Sequence, residues 1–117
     1  MDTVTVVIQD PPYREGDKAW NALRFAGAAL GDGLQVKVFL LGEGVDLGRR
    51  GRRVPEGKVS LEQLLGELMD AGLEVRVCGT CLSQYGLSEG DLMEGVSRGS
   101  MKLLAAWVKE SGNVMTF

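Results

Sequence analysis

The two cysteines of this chain, Cys78 and Cys81, stand in a C-x-x-C arrangement. Thiolates are nucleophiles and metal ligands, and a pair at this spacing in an intracellular chain indicates redox, sulfur-handling or metal chemistry rather than a structural disulfide. The sequence contains no histidine, so no imidazole of this chain can activate a cysteine or bind a metal. A structural zinc site needs more ligands than this pair supplies, so a metal would have to be shared between subunits. We therefore predict sulfur chemistry without a metal or a cofactor.

The position of the pair favours a functional role. Residues 73–77 alternate between apolar and charged side chains, which predicts a strand that delivers Cys78 at its carboxyl end, where open parallel sheets bind ligands. Gly79 lets the backbone turn close to the sulfur, and a helical turn that begins near Thr80 would offer free N–H groups to a thiolate or persulfide. We predict that Cys78 is the nucleophile and Cys81 a resolving thiol. The alternative is a pair of buried cysteines that pack as small hydrophobic side chains.

The elements that must hold this pair follow the apolar pattern of the chain. Strands over 3–9 and 36–41 flank a helix over 17–30, which predicts a βαβ unit with parallel pairing. A helix capped by Ser60 follows, with Gln63 completing a capping box, and the strand 73–77 then lies near the sheet edge or beneath another subunit. A short helix over 88–94 and a weak strand over 95–98 come next. The last elements are a helix over 100–111 and a strand over 114–117; the predicted buried face of that helix is Met101, Leu104, Ala105 and Val108. Together they predict one domain, residues 1–117, with a three-layer α/β/α sandwich and a mostly parallel sheet of about five strands.

Further candidate binding residues follow the first two strands. Asp10 comes after the first strand, and Gly42 and Glu43 come after the second; with Gly79 and Thr80 they form the predicted binding set. Beyond them, residues 45–58 carry an arginine-glycine run and predict a mobile, basic excursion. Its arginines either bind an anionic metabolite, RNA or an acidic partner, or meet carboxylates on a neighbouring subunit.

Composition and charge exclude several classes of protein. Hydrophobic residues make up 44% of the 117 residues and charged residues 25%, which is ordinary for a folded domain. The net charge of −3 argues against a general nucleic-acid coat protein. No basic leader precedes the first strand, and no apolar run reaches the about 20 residues that span a bilayer. We expect a soluble, cytoplasmic protein.

The cysteine motif belongs to a longer pattern that resembles a known family. Val77-Cys78-Gly79-Thr80-Cys81 with Tyr85-Gly86, Asn21 to Ala26, Val38 to Val45 and Glu94 to Val96 resemble the DsrE/DsrF-like family, which includes sulfur-relay subunits and a YchN-like branch. The resemblance implies a five-stranded α/β/α domain that assembles into trimers or hexamers. It also implies that Cys78 carries a persulfide between donor and acceptor proteins, while the counterpart of Cys81 occurs only in some branches.

Three functions remain open at this point. The first is a small sulfur carrier or sulfurtransferase-like protein with its persulfide on Cys78. A thiol–disulfide oxidoreductase would use Cys78 and Cys81 equally as a redox couple. The third is a non-enzymatic structural or regulatory oligomer that contacts its partner through the arginine run.

Overall fold

A computed structural model describes residues 2–117 and confirms the predicted three-layer α/β/α sandwich. The strands are β1 (Thr3–Ile8), β2 (Gln35–Leu40), β3 (Glu74–Cys78), β4 (Val96–Gly99) and β5 (Asn113–Thr116); the α-helices are α1 (Lys18–Gly31), α2 (Leu61–Asp70), α3 (Gly79–Gln84) and α4 (Met101–Glu110). Short 3-10 helices occupy Gly42–Gly48 and Glu89–Asp91. No helix within residues 2–117 has the length and apolar character to cross a bilayer.

The sheet has the order β4-β3-β2-β1-β5, and all neighbouring strands are parallel. Every residue of β1 from Val4 to Ile8 is buried, as expected for a continuous apolar strand covered on both faces. β3 lies near the sheet edge, as predicted, and only β4 pairs outside it, with Cys78 opposite Gly99. The carboxyl end of β3 therefore lies between the ends of β2 and β4.

Local capping signals place the helix ends. Ser60 Oγ accepts the N–H of Gln63 at 3.1 Å and begins α2, although the Gln63 amide donates to Glu67 instead of closing the predicted capping box. Ser100 Oγ caps α4 in the same way through the N–H of Leu103. The predicted helix over 88–94 is only the 3-10 turn Glu89–Asp91.

The buried face of α4 differs from the prediction. Met101, Ala105 and Val108 are exposed, with Met101 at 56% and Val108 at 45%. The residues of α4 that pack on the core are Leu103, Leu104 and Trp107. Trp107 is 3% exposed and meets the ring of Phe39 edge-on, with the ring centroids 6.1 Å apart. Burial of the large Trp107 ring thus determines which face of α4 packs on the core, and the apolar side chains of Met101 and Val108 remain exposed to solvent.

The segment after β2 is more regular than predicted. Its first part is the Gly42–Gly48 3-10 helix, and the Asp46 carboxylate then pairs with Arg49, at 2.7 Å, and with Arg52. Burial pushes the pKa of Asp46 upward, but the hydrogen bonds and charges of the two guanidinium groups outweigh it and hold that pKa below its ordinary value. Two arginines of the basic run therefore meet a carboxylate of their own chain.

Candidate active site

Cys78 joins the sheet to α3. It is the last residue of β3 and the N-cap of the helix, and its Sγ accepts a hydrogen bond from the N–H of Cys81 at 3.4 Å. The residue is 3% exposed. The helix begins at Gly79, one residue before the predicted start, and its first turn presents a backbone donor to the sulfur. The sulfur is thus held at the start of the helix by a backbone hydrogen bond.

Cys81 is held from the opposite side. Its Sγ accepts the N–H of Gly42 at 3.3 Å, across the carboxyl ends of β2 and β3. Gly42 has a φ of 57°, a left-handed conformation that glycine adopts without the steric cost of a side chain. The predicted binding residue Gly42 thus reaches the cysteine pair through its backbone. Both cysteines are free thiols.

The surroundings of Cys81 keep its thiol protonated. Burial is the largest cause that raises the pKa of Cys81 above its ordinary value, and the hydrogen bond and charge of the neighbouring Cys78 add to the rise. The N–H of Gly42 lowers this pKa but does not cancel the rise. A thiolate on Cys81 is consequently scarce at neutral pH.

We expect the alkylation rate of Cys81 to reach half its maximum at a higher pH than that of cysteine in an unfolded peptide. Only the thiolate reacts, so the pH profile of iodoacetamide labelling, resolved by peptide mass spectrometry, reports this pKa. The variant Cys78→Ser removes two of the raising causes and should move the midpoint downward. A midpoint at or below that of the unfolded peptide would contradict the assignment.

Both sulfurs open onto one cleft of about 370 Å³. Its lining residues are Cys78, Gly79, Thr80, Cys81, Arg98, Gly99, Ser100 and Met101. The guanidinium of Arg98 lies against Gly79, where a Cβ atom would stand only 2.3 Å from Nε of the arginine. Only a glycine at position 79 allows the Arg98 guanidinium to lie this close to the backbone.

Sequence reasoning did not identify Arg98. The signal that would have found it is the pairing of β4 with β3, in which Arg98 lies opposite Val77 and Gly99 opposite Cys78. The weak strand propensity of residues 96–99 conceals that pairing, because a single sequence does not reveal which strand lies next to which.

Comparison with known proteins now decides the family. The model of the DsrE/DsrF-like family matches residues 2–117. The chain belongs to the DsrE/DsrF-like family. The family resemblance of the sequence motifs is thereby confirmed over nearly the whole chain.

Relatives of this DsrE/DsrF-like chain match it from end to end. An uncharacterized protein of Methanopyrus kandleri is 46% identical over 117 residues, covering 100% of this chain and 95% of the relative. The YchN protein of Escherichia coli is 31% identical over 119 residues and covers 100% of both chains. Its crystal structure superimposes with a TM-score of 0.91. A protein of unknown function from Methanobacterium thermoautotrophicum, 17% identical and covering 98% of this chain and 99% of that one, shares the fold with a TM-score of 0.80.

Two of the predicted binding residues lie outside the cysteine cleft of this DsrE/DsrF-like domain. Asp10 and Glu43 converge on Arg14, whose Nη1 is 3.6 Å from Asp10 Oδ1 and 2.9 Å from Glu43 Oε1. The hydrogen bond from Arg14 lowers the pKa of Glu43. Glu43 lines a separate depression beside Tyr85. The predicted set thus divides into Gly42, Gly79 and Thr80 at the cysteines and an acidic pair on Arg14.

The cysteine pair provides two sulfur atoms, and the other side chains of the cleft are hydroxyl groups, a cation and Met101. Within residues 2–117, no three side chains of the histidine, cysteine, aspartate or glutamate type come together as a metal site would require. The hydroxyl groups of Thr80 and Ser100 and the cation of Arg98 are the polar side chains beside the thiols. This combination suits an anionic group bound next to a nucleophilic sulfur.

Proposed function

We propose that the protein is a cytoplasmic sulfur carrier that holds a persulfide on Cys78. The observation that carries this proposal is the position of Cys78, at the carboxyl end of β3, where its sulfur accepts the N–H of Cys81 and borders a cleft. Membership of the DsrE/DsrF-like family, which includes sulfur-relay subunits, supports the same reading. The reducing cytoplasm would keep both thiols free between transfers.

Transfer to Cys78 requires no general base. The Cys78 thiolate attacks the outer sulfur of a donor persulfide, a new S–S bond forms, and the donor's S–S bond breaks as its thiolate leaves. An acceptor thiolate then attacks the outer sulfur on Cys78 and regenerates the Cys78 thiolate, so the cycle involves no net oxidation. The absence of histidine is compatible with this chemistry, because a thiolate attacks a sulfane sulfur directly and no step of the cycle needs an imidazole.

Cys81 has a secondary part in this proposal. Its thiolate can attack the inner sulfur of the Cys78 persulfide, which forms the Cys78–Cys81 disulfide and expels hydrosulfide. An external dithiol must then reduce the disulfide to complete that route. The raised pKa of Cys81 makes this internal attack slow at neutral pH, which favours transfer to an acceptor protein.

A thiol–disulfide oxidoreductase is the second candidate, and it has one specific observation in its favour. The backbone N–H of Cys81 donates to Cys78, and the Cys78 side chain is a hydrogen-bond neighbour of the Cys81 thiol. The two sulfurs are therefore close enough to interact. This function would depend equally on both residues.

The proposal includes assembly of several copies, as trimers or hexamers. The apolar stripe of α4 is exposed at Met101 and Val108, and the edge strand β5 exposes Val114 and Met115. Burial of such side chains between copies is favourable, and large apolar patches on soluble proteins commonly mark contact surfaces. Met101 also lines the cysteine cleft, so this surface borders the site.

Sulfur loading and assembly can be measured on one sample. We expect the protein, incubated with a cysteine desulfurase and cysteine or with thiosulfate, to gain the mass of one sulfur per chain in native mass spectrometry, within particles of three or six copies. Peptide mapping should place that sulfur on Cys78, and treatment with a dithiol should remove it. Failure to gain sulfur from any of these donors would exclude the carrier function, and a monomer would exclude the proposed assembly.

A further inference from the structure

Arg98 is a cation without an acidic partner. Ion pairs engage Arg14, Arg49, Arg52 and Arg76, but within residues 2–117 no carboxylate pairs with Arg98. The residues that line the cysteine cleft likewise include no carboxylate. Unlike Arg49 and Arg52, Arg98 thus keeps its charge available to a bound anion.

The guanidinium lies against Gly79, the residue that follows Cys78. A Cβ atom on Gly79 would lie 2.3, 2.8 and 2.9 Å from Nε, Cζ and Nη2 of Arg98, so the planar group lies directly over the residue that follows Cys78. Gly99 lies opposite Cys78 in the sheet and lines the same cleft. Arg98 and both cysteines border this cleft of about 370 Å³, which leaves room for a ligand beside them.

We propose that Arg98 binds the oxyanion end of a small sulfane-sulfur donor of the thiosulfate class and sets the donor specificity of Cys78. This inference rests on the sulfur-carrier function proposed above. A guanidinium presents paired N–H donors that match the oxygens of a sulfonate-like group. The cleft of about 370 Å³ is of the size that encloses a small ligand.

The transfer balances without a further reactant. The Cys78 thiolate attacks the outer sulfur of thiosulfate, the S–S bond of thiosulfate breaks, and sulfite leaves with the electron pair of that bond. The products are the Cys78 persulfide anion and sulfite, with the same total charge as the reactants. Arg98 binds the oxyanion in the donor and in the leaving sulfite, and it keeps the outer sulfur directed toward Cys78.

Four variants test this specificity. Arg98→Gln removes the charge, and Arg98→Lys keeps the charge but loses the paired donors. Gly79→Ala keeps Arg98 but inserts a methyl group where the guanidinium lies, and the flexible arginine side chain must move away. Gly31→Ala, at the end of α1 with nothing within 4 Å of the added methyl, is the matched control.

The readout is the ratio of two loading rates, from thiosulfate and from an alkyl persulfide whose leaving group has no oxyanion. We expect this ratio to fall roughly ten- to hundredfold in Arg98→Gln and Gly79→Ala, as for the loss of a hydrogen bond to a charged group, and less in Arg98→Lys. Gly31→Ala should keep the ratio of the parent protein. An unchanged ratio in Arg98→Gln would overturn the proposal, whether both loading rates stay at the parent value or both decrease by the same factor.

A binding measurement separates this inference from the carrier function. Thiosulfate is titrated calorimetrically into Cys78→Ser, in which transfer is blocked, and into Cys78→Ser combined with Arg98→Gln. Thiosulfate binding that requires Arg98, together with failure of the parent protein to gain sulfur from any donor, would support the anion site and exclude the carrier. Sulfur loading from persulfide without any thiosulfate binding would support the carrier and overturn the anion site.

Discussion

Replacement of Cys78 by serine is expected to abolish sulfur loading, with a decrease of at least about a thousandfold in the loading rate, as for loss of a nucleophile in other enzymes. A hydroxyl at this position has no neighbouring base to remove its proton, because the chain contains no histidine and no carboxylate lines the cleft. The N–H of Cys81 cannot substitute for a base, since it donates a hydrogen bond rather than accepting a proton. Intact-mass measurement of the sulfur increment against time gives the rate.

Replacement of Cys81 should have a smaller and different effect. We expect Cys81→Ser to slow loading without abolishing it, while release of hydrosulfide from the loaded protein stops, because the internal attack on the persulfide has lost its thiol. The same variant would abolish activity in a thiol–disulfide oxidoreductase. Loading and hydrosulfide release, measured on the same samples, therefore distinguish the two functions.

One outcome would exchange the roles of the two sulfurs. If Cys78→Ser still gained sulfur, and peptide mapping placed it on Cys81, the more exposed thiol would be the carrier and the buried one the resolving residue. The raised pKa of Cys81 argues against that outcome near neutral pH, because few Cys81 thiolates would be present to attack the donor. Arg98→Gln in each background would then report which sulfur the bound anion faces.

The parts of the fold that depend on short stretches of sequence were predictable. The continuous apolar runs of β1 and β2 predict strands covered on both faces, and Val4 to Ile8 of β1 and Val38 to Leu40 of β2 are buried. Ser60 and Ser100 predict helix starts because a hydroxyl oxygen can accept an N–H of the first turn, and both do so. Cys78 at the end of a strand follows from the same local reasoning.

The parts that depend on distant pairing were not predictable. Arg98 enters the cysteine cleft only because β4 pairs outside β3, and a single sequence does not specify strand order. Glu43 binds Arg14 instead of facing the cysteines, and Arg14 lies 29 residues away in the sequence, so local patterns do not reveal this contact. The buried face of α4 was predicted wrongly for a related reason, because Trp107 packs against the ring of Phe39, which belongs to β2.

Gly44→Ala is expected to cause the largest loss of stability among the glycine variants, about 3 kcal/mol in the free energy of unfolding. A Cβ atom at this position would lie 2.1 Å from the carbonyl oxygen of Ile8 and 2.8 Å from its carbonyl carbon. Those atoms belong to the backbone at the end of β1, so no side-chain rotation relieves the clash. Thermal unfolding should show a melting temperature lower by roughly 10 °C.

The control for Gly44→Ala is again Gly31→Ala, which places the same methyl group in open space at the end of α1. Because alanine favours helix over glycine, this control should keep or raise stability, by up to about 1 kcal/mol. Equal melting temperatures for the two variants would show that the 3-10 helix tolerates displacement from β1. The close approach of Gly44 to Ile8 would then contribute little to the fold.

Gly44→Ala should also change the hydrogen bonding of the cysteine pair. The carbonyl of Ile8 accepts the N–H of Leu41 at 3.0 Å, and the next residue, Gly42, donates to Cys81. A methyl group that pushes the chain away from Ile8 therefore displaces the N–H that lowers the pKa of Cys81. In the folded fraction of Gly44→Ala, the midpoint of Cys81 alkylation should move to still higher pH. An unchanged midpoint would mean that the Gly42 contact is maintained independently of β1, so that the position of α3 alone sets the reactivity of Cys81.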